Sequence, residues 1–108
     1  MTKSVRTKTK TKVKATKRPV MALLELLERR WALRVLWELR DGPLGFRALQ
    51  ARCGDPPPSS LSQRLGELTD GRILELAPEG YRYSREGAEL VELLLPLNDW
   101  ANRWRKRS

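Results

Sequence analysis

Apolar residues recur every three or four positions along most of this chain, which is the spacing of helices that bury one face. A glycine or a proline stands at or near each break in the pattern, where helices end. The pattern predicts five helices, at about 20–28, 30–40, 45–52 and 58–70, with a long final helix that begins after Ser84.

Two short runs of strand-forming residues separate the last two predicted helices. They are 72–76 (RILEL) and 81–83 (YRY), and the residues 77–80 (APEG) form a turn between them. The predicted fold is therefore mainly α with a small β-hairpin. Three short helices in succession followed by a hairpin is the order of a winged helix-turn-helix, whose recognition helix enters the DNA major groove.

Helix 58–70 has two chemically different faces. Three leucines mark one face, and at about 100° per residue the opposite side carries Ser59, Ser62, Gln63, Gly66 and Glu67. Serine and glutamine side chains can hydrogen-bond to base edges. Taken alone, these residues favour an ordinary amphipathic helix with a solvated polar face. Two starts compete, with Pro58 at the first helical position or with Ser60 and Gln63 as a capping box.

Positive charge is concentrated at the N-terminus. Residues 1–18 hold eight of the 22 Lys and Arg residues and no acid, which leaves 14 basic against 13 acidic residues in 19–108. The formal net charge of +9 therefore belongs almost entirely to this segment. This segment alternates Lys and Thr and has too few apolar side chains to form a core. We therefore expect a disordered tail at 1–18 and one domain at 19–108. The tail is either a phosphate-neutralising segment or a solubilising one.

The residue types needed for catalysis or metal binding are scarce. There is no histidine, which is the commonest general base and metal ligand, and Cys53 is the only cysteine. We read Cys53 as a small core or near-surface residue, and Glu89 and Glu92 as a solvated helix face. We predict no enzyme, no catalytic residue, no metal site and no cofactor. No apolar run approaches the length of a membrane span, and the sequence shows no secretory signal. We therefore expect the protein to be cytoplasmic and not to bind a membrane.

The final helix carries more apolar surface than a domain of this size can easily cover. An exposed patch of this kind usually marks an association surface. The first helix is also apolar over much of its circumference, so we favour a homodimer over folding of the last helix back onto its own chain. The predicted interface residues are Leu23, Leu27, Leu93, Leu97, Trp100 and Trp104.

Four pieces of the sequence occur together in a characteristic order and spacing. They are 30–49 (RW…VL..L.DGP..F..L), 61–71 (LSQRL..L..G), 81–87 (YRYS..G) and 94–100 (LLPL..W). Together they resemble the HxlR-type transcriptional regulators over residues 19–104. The resemblance implies a bacterial or archaeal, nucleoid-associated dimer that binds double-stranded DNA. Its recognition helices, about 58–70, would enter successive major grooves, and its first and last helices would form the dimer interface.

The resemblance also indicates which residues contact DNA. It implies groove and phosphate contacts by Ser62, Gln63 and Arg64, and Ser59 stands where the family often has a basic residue. Arg29, Arg30 and Arg34 are either phosphate contacts or solvated, and their spacing does not decide between the two. The complete predicted DNA-binding set is Ser59, Ser62, Gln63, Arg64, Arg82, Lys10, Lys12, Lys14, Lys17 and Arg18.

The chain departs from the family pattern in several places. Many members have a cysteine just before the first helix, used by some as a redox or electrophile sensor, whereas Arg18 stands here. The wing is several residues shorter than usual, and a proline replaces the usual capping residue near Pro57. Gly66 and Ser59 replace basic side chains. We expect the tail to compensate as a basic arm on flanking DNA.

Two other functions remain open at this stage. The fold is also used for protein–protein interaction modules, and the nearly neutral folded part is compatible with that use. A tail-driven protein that binds nucleic acid without sequence preference is the other alternative. The sequence identifies no small-molecule effector.

Overall fold

A computed structural model describes residues 18–107, which form five helices and one two-stranded antiparallel sheet. The predicted mainly α fold with a small hairpin is confirmed. In chain order the elements are α1 (Pro19–Leu27), α2 (Ala32–Glu38), α3 (Phe46–Arg52), α4 (Pro58–Asp70), β1 (Leu74–Ala77), β2 (Gly80–Tyr83) and α5 (Arg85–Arg107).

The hydrophobic core is built around the leucine face of α4. Leu61, Leu65 and Leu68 are buried, as their spacing of three and four residues requires for one helix face. Side chains of α1, α2, α3 and the hairpin surround them. The buried cluster comprises Leu27, Val35, Leu36, Leu39, Leu49, Cys53, Leu61, Leu65, Leu68, Ile73 and Leu74.

The second helix is shorter than predicted. The periodicity indicated a helix over 30–40, but α2 spans Ala32–Glu38. Trp31 causes the late start because its backbone adopts a left-handed conformation with φ of 79°, which a right-handed helix excludes. The Arg30 guanidinium stacks over the Trp31 ring at 5.1 Å from its centroid.

The hairpin is a compact wing with a two-residue turn at 78–79. Its strands pair in the register Leu74 with Tyr83 through Ala77 with Gly80, so the first strand lies slightly later than the predicted run. Leu44 adds a bridge to Tyr81, with backbone N–O distances of 3.1 and 2.8 Å. This bridge ties the wing to the segment before α3.

The long helix α5 begins where the wing ends. Ser84 caps it, since the Gly87 amide donates to the Ser84 hydroxyl at 2.9 Å, as the sequence predicted. That hydroxyl in turn donates to the Arg72 carbonyl at 2.6 Å, and the Ser84 amide donates to the Ile73 carbonyl at 3.0 Å. A Cβ at position 87 would lie 1.9 Å from the Ile73 oxygen. Only glycine permits this approach.

We expect Gly87→Ala to destabilise the domain by about 1–3 kcal/mol or more, the range for an overpacked site. The control is Gly66→Ala, because a Cβ there meets nothing within 4 Å. In a helix interior that change should stabilise the protein by about 0.5–1 kcal/mol. Urea unfolding followed by circular dichroism measures both. Equal effects of the two substitutions would contradict the close approach at Gly87.

Candidate nucleic-acid interface

The turn between α3 and α4 fixes the angle at which α4 leaves the body. Gly54 and Asp55 both have left-handed backbones, with φ of 88° and 57°. The Asp55 amide donates to the Gln50 carbonyl at 2.9 Å, and the Gln50 side chain donates to the Pro56 carbonyl at 3.0 Å. Helices α3 and α4 therefore form a helix-turn-helix pair whose turn is held by two hydrogen bonds.

Helix α4 begins at Pro58, so the earlier of the two competing starts is correct. Proline suits this first position because the amide it lacks would have no intrahelical partner. The capping box suggested by Ser60 and Gln63 is wrong, since Ser60 lies inside the helix and no side chain caps its N-terminus. Pro57, in an extended conformation, precedes the helix.

The polar face of α4 is exposed to solvent. Ser59, Ser62, Gln63 and Gly66 all lie on it, opposite the buried leucines. None of these four residues is charged. The face therefore offers hydrogen-bonding groups, and the cations that would contact phosphate must come from neighbouring elements.

Arg64 does not share this exposure. Its side chain is buried, at 9% relative exposure, and Nη1 lies 2.6 Å from the Glu67 carboxylate. Arg29 approaches the same carboxylate at 3.4 Å from the α1–α2 loop, and Gln63 reaches it at 3.4 Å. The Glu67 carboxylate thus holds the guanidinium groups of Arg29 and Arg64 at one side of α4. This arrangement does not favour the predicted groove or phosphate contact by Arg64.

Two other arginines considered for DNA contact have intramolecular partners. Arg34 pairs with Glu38 at 2.8 Å and also donates to the Arg52 carbonyl at 2.8 Å. On the wing, Arg82 pairs with Glu75 at 2.7 Å and approaches Glu79 at 3.9 Å. Arg82 stays exposed despite these pairs.

Sequence reasoning overlooked Arg47. It is exposed in the first turn of α3, the helix that crosses the DNA backbone in helix-turn-helix proteins. The sequence signal that could have identified Arg47 was its position one residue after the start of α3, beside the apolar Phe46.

Arg18, at the edge of the described chain, is exposed. Lys10, Lys12, Lys14 and Lys17, with the predicted disordered tail, lie outside the described residues.

The predicted dimer residues differ in accessibility. Leu93, Leu97, Trp100 and Trp104 are exposed, and the two indoles stack with centroids 6.0 Å apart. Leu23 is partly buried, but Leu27 belongs to the protomer's own core. We therefore remove Leu27 from the candidate interface. The spacing of apolar residues could not show which face of this broadly apolar helix packs inward.

Cys53 lies in the core, at 1% relative exposure. Burial raises the pKa of its thiol, partly offset by the nearby Arg34. A buried thiol with a raised pKa is a weak nucleophile, which agrees with the predicted core role.

Among residues 18–107, no group of three or more His, Cys, Asp or Glu side chains is placed to hold a metal ion. Over the same range, no helix has both the length and the apolarity to cross a bilayer.

The wing is fastened to α2 by Tyr83, whose hydroxyl donates to the Leu36 carbonyl. Burial raises the pKa of Tyr83 to about 12, with a smaller opposing effect of Arg40 and a further increase from Asp41. The neutral phenol, which can donate this bond, is the form that the fold stabilises.

Comparison with known families supports this geometry. A family model described as HxlR-like helix-turn-helix matches residues 26–108. The chain belongs to this family. It is a DNA-binding helix-turn-helix protein of the transcription-regulator type, so the predicted resemblance is confirmed.

Solved structures with the same fold include regulators from two bacteria. Quinone-bound YodB from B. subtilis has a TM-score of 0.71 and 25% identity, covering 78% of this chain and 96% of that one. The reduced form of the transcriptional regulator YodB has a TM-score of 0.68 and 26% identity, with 82% and 94% covered. A MarR-family structure from Enterococcus faecalis V583 shares the fold at 20% identity and a TM-score of 0.68, with 85% and 93% covered. No curated protein sequence matches the chain.

We expect Tyr83→Phe to lower the free energy of unfolding at pH 8 by about 1 kcal/mol through loss of one hydrogen bond. Because the folded pKa exceeds the unfolded value of 10.0, Tyr83's contribution is complete below pH 10 and is lost as pH rises toward about 12. The stability difference between the two proteins should therefore shrink between pH 8 and pH 11. Urea titrations at both values test this, and a constant difference would contradict the raised pKa.

Proposed function

We propose that this protein is a sequence-specific transcriptional regulator that binds DNA as a homodimer, with the two α4 helices in successive major grooves. The observation that carries the proposal is the division of α4 into a fully buried leucine face and an exposed face of Ser59, Ser62 and Gln63. A helix of this kind, second in a helix-turn-helix pair, matches the geometry of major-groove recognition.

Within this proposal, the residues divide into base contacts and phosphate contacts. Gln63 has the side chain suited to a bidentate contact with adenine, and Ser59 and Ser62 can donate to or accept from any base edge. Arg47 on α3 and Arg82 on the wing are the proposed phosphate contacts. Arg64 is left out of the set because its guanidinium is buried against Glu67.

The basic tail supplies the electrostatic attraction that the folded part lacks. Residues 19–108 carry 14 basic and 13 acidic side chains, and eight cations without an acid lie in 1–18. Each phosphate neutralised releases counterions, so such a segment raises affinity for any DNA sequence. We therefore propose that Lys10, Lys12, Lys14, Lys17 and Arg18 act as an arm on flanking DNA.

Sensing through a thiol is not part of the proposal. One of the similar structures is that of quinone-bound YodB, but the only cysteine of this chain is buried and has a raised pKa. Neither property supports attack by Cys53 on an electrophile. A cysteine before α1 is also missing, since Arg18 holds that position.

We expect Gln63→Ala to weaken binding to the preferred site by about 1–3 kcal/mol and to relax selectivity at one base pair in each half-site. The measurement is binding-site selection from random duplexes, followed by titration of the enriched site. Arg82→Ala is the contrasting variant, because removal of a phosphate contact should weaken all sequences about equally and reduce the salt slope by about 1.

Different outcomes separate the alternatives. An enriched inverted repeat with half-sites about one helical turn apart, or a multiple of it, supports the dimeric regulator. No enriched sequence in wild type, together with unchanged DNA binding in Gln63→Ala, would overturn it in favour of a protein-interaction module or a non-specific nucleic-acid binder.

We expect removal of residues 1–18 to lower affinity and to make the dependence of log K on log salt shallower by about 0.9 for each phosphate that the tail neutralises. The base preference should remain that of the full chain. Salt titrations of both proteins on the selected duplex and on a scrambled duplex measure these effects. An unchanged slope would show that the tail makes no phosphate contacts.

A further inference from the structure

Three contacts converge on the Glu67 carboxylate and give each of its oxygens a partner. Oε1 accepts a hydrogen bond from Arg64 Nη1 at 2.6 Å. Oε2 lies 3.4 Å from Arg29 Nη2 and also accepts from the Gln63 side-chain nitrogen Nε2 at 3.4 Å. The carboxylate is therefore held by two cations, and one of its oxygens contacts the side chain that the proposed function places against a base.

Glu67 lies between the buried and the exposed faces of α4. At about 100° per residue, it is about 40° around the helix from Gln63 and about 60° from Arg64. Arg64 is buried and Gln63 is exposed. Because packing restricts the Arg64 guanidinium, its contact anchors the Glu67 carboxylate to the body of the domain. Packing therefore determines where this acceptor stands beside Gln63.

The chemistry of a carboxylate determines which end of the Gln63 amide can face it. An ionised carboxylate only accepts hydrogen bonds, whereas a glutamine amide has one accepting oxygen and a donating NH2 group. The NH2 group of Gln63 can therefore bond to Glu67, and its carbonyl oxygen would be repelled. The bond is longer than the usual length of about 2.9–3.0 Å, so its main effect is this choice of orientation.

We propose that Glu67 is a positioning residue for base recognition, which holds the Gln63 amide with its carbonyl oxygen and one N–H directed into the major groove. That edge of the amide matches adenine, which presents an N6 donor and an N7 acceptor there. The inference rests on the proposed function and adds to it the residue that decides which base Gln63 reads.

The two arginines allow a carboxylate to stand beside the DNA-facing side of the helix. An unpaired carboxylate would be repelled by phosphates, but Arg29 and Arg64 offset the charge of Glu67. A free carboxylate would also suit the N4 donor of cytosine. Both oxygens of Glu67 already have partners within the domain. Glu67 therefore acts on DNA through Gln63.

The test measures base preference on the duplex obtained by binding-site selection. Wild type should favour adenine at one base pair of each half-site by about 5- to 150-fold, and Gln63→Ala identifies that base pair. Glu67→Gln should reduce the preference by about 2- to 13-fold, the scale of one hydrogen bond. It should also raise the relative affinity for guanine there. An amide at position 67 can donate as well as accept, so Gln63 could also turn its NH2 group outward, toward the O6 and N7 acceptors of guanine.

Glu38→Gln is the matched control, because it also neutralises a glutamate that is paired with an arginine of its own helix. Glu38 pairs with Arg34 at 2.8 Å on α2 and is not among the proposed DNA contacts. This variant should leave the base preference unchanged. In the Gln63→Ala background, Glu67→Gln should have no further effect on preference at the marked base pair, because the amide that it orients is gone. A purely structural role of Glu67 would weaken all sequences and would not depend on Gln63.

A second measurement uses the wild-type protein without DNA, so it does not depend on the folding of Glu67→Gln. The chain has two glutamines, and the other one, Gln50, donates to the Pro56 carbonyl at 3.0 Å. Nitrogen-15 relaxation of the side-chain amides should show both ordered, with order parameters above about 0.6, below which a group counts as flexible. A Gln63 amide below that value would overturn the inference.

The outcomes separate this inference from the proposed function. If Gln63→Ala alters selectivity but Glu67→Gln leaves it unchanged, the positioning role is overturned and the sequence-specific regulator stands. The same holds if the marked base is not adenine, if Glu67→Gln acts at a different base pair, or if Glu38→Gln has an equal effect. No enriched sequence with wild type would overturn both, even with an ordered Gln63 amide.

Discussion

Burial of the leucine face of α4 is the constraint on which the rest of this structure depends. Leu61, Leu65 and Leu68 occupy the centre of the core, so the helix has one permitted rotation about its axis. That rotation turns the serine and glutamine side chains outward. The clamped turn before α4 and the pairing of Glu67 with Arg29 then hold the helix in this orientation. Packing energy thus determines which side chains of α4 face the solvent, and these are the side chains that the proposal places against DNA.

The proposal divides base recognition and electrostatic attraction between different parts of the chain. The outer face of α4 is uncharged at Ser59, Ser62 and Gln63, and the arginines near it are largely paired with acids. In the proposal, the attraction comes from the tail and from exposed arginines such as Arg47. An uncharged helix face gives little electrostatic attraction to any DNA sequence. Selectivity at this face therefore depends on the geometry of its hydrogen bonds to the bases.

Local patterns in the sequence were enough to predict the end of α4 and to place its start at either Pro58 or Ser60, because proline and Gly71 bound a clear leucine period. The wing and the Ser84 cap followed from similarly local signals. The contact predicted for Arg64 came from the family resemblance, but at about 100° per residue Arg64 lies at the edge of the leucine face, about 40° from Leu68, and its side chain is buried. The left-handed backbone of Trp31 has no signal in the spacing of apolar residues, and the burial of Leu27 depends on packing against elements distant in sequence. No periodicity along one segment encodes them.

The junction at Ser84 joins the end of α4, the wing and the start of α5 at one point. The Ser84 hydroxyl and amide bond to the Arg72 and Ile73 carbonyls, and the Ile73 amide bonds back to Leu68. Only Ser84 separates the end of β2 from the start of α5, and Gly87 packs directly on the Ile73 carbonyl. The turns of α5 that precede Pro96 are therefore joined directly to the C-terminal end of α4, and a change in their direction would be transmitted to that end.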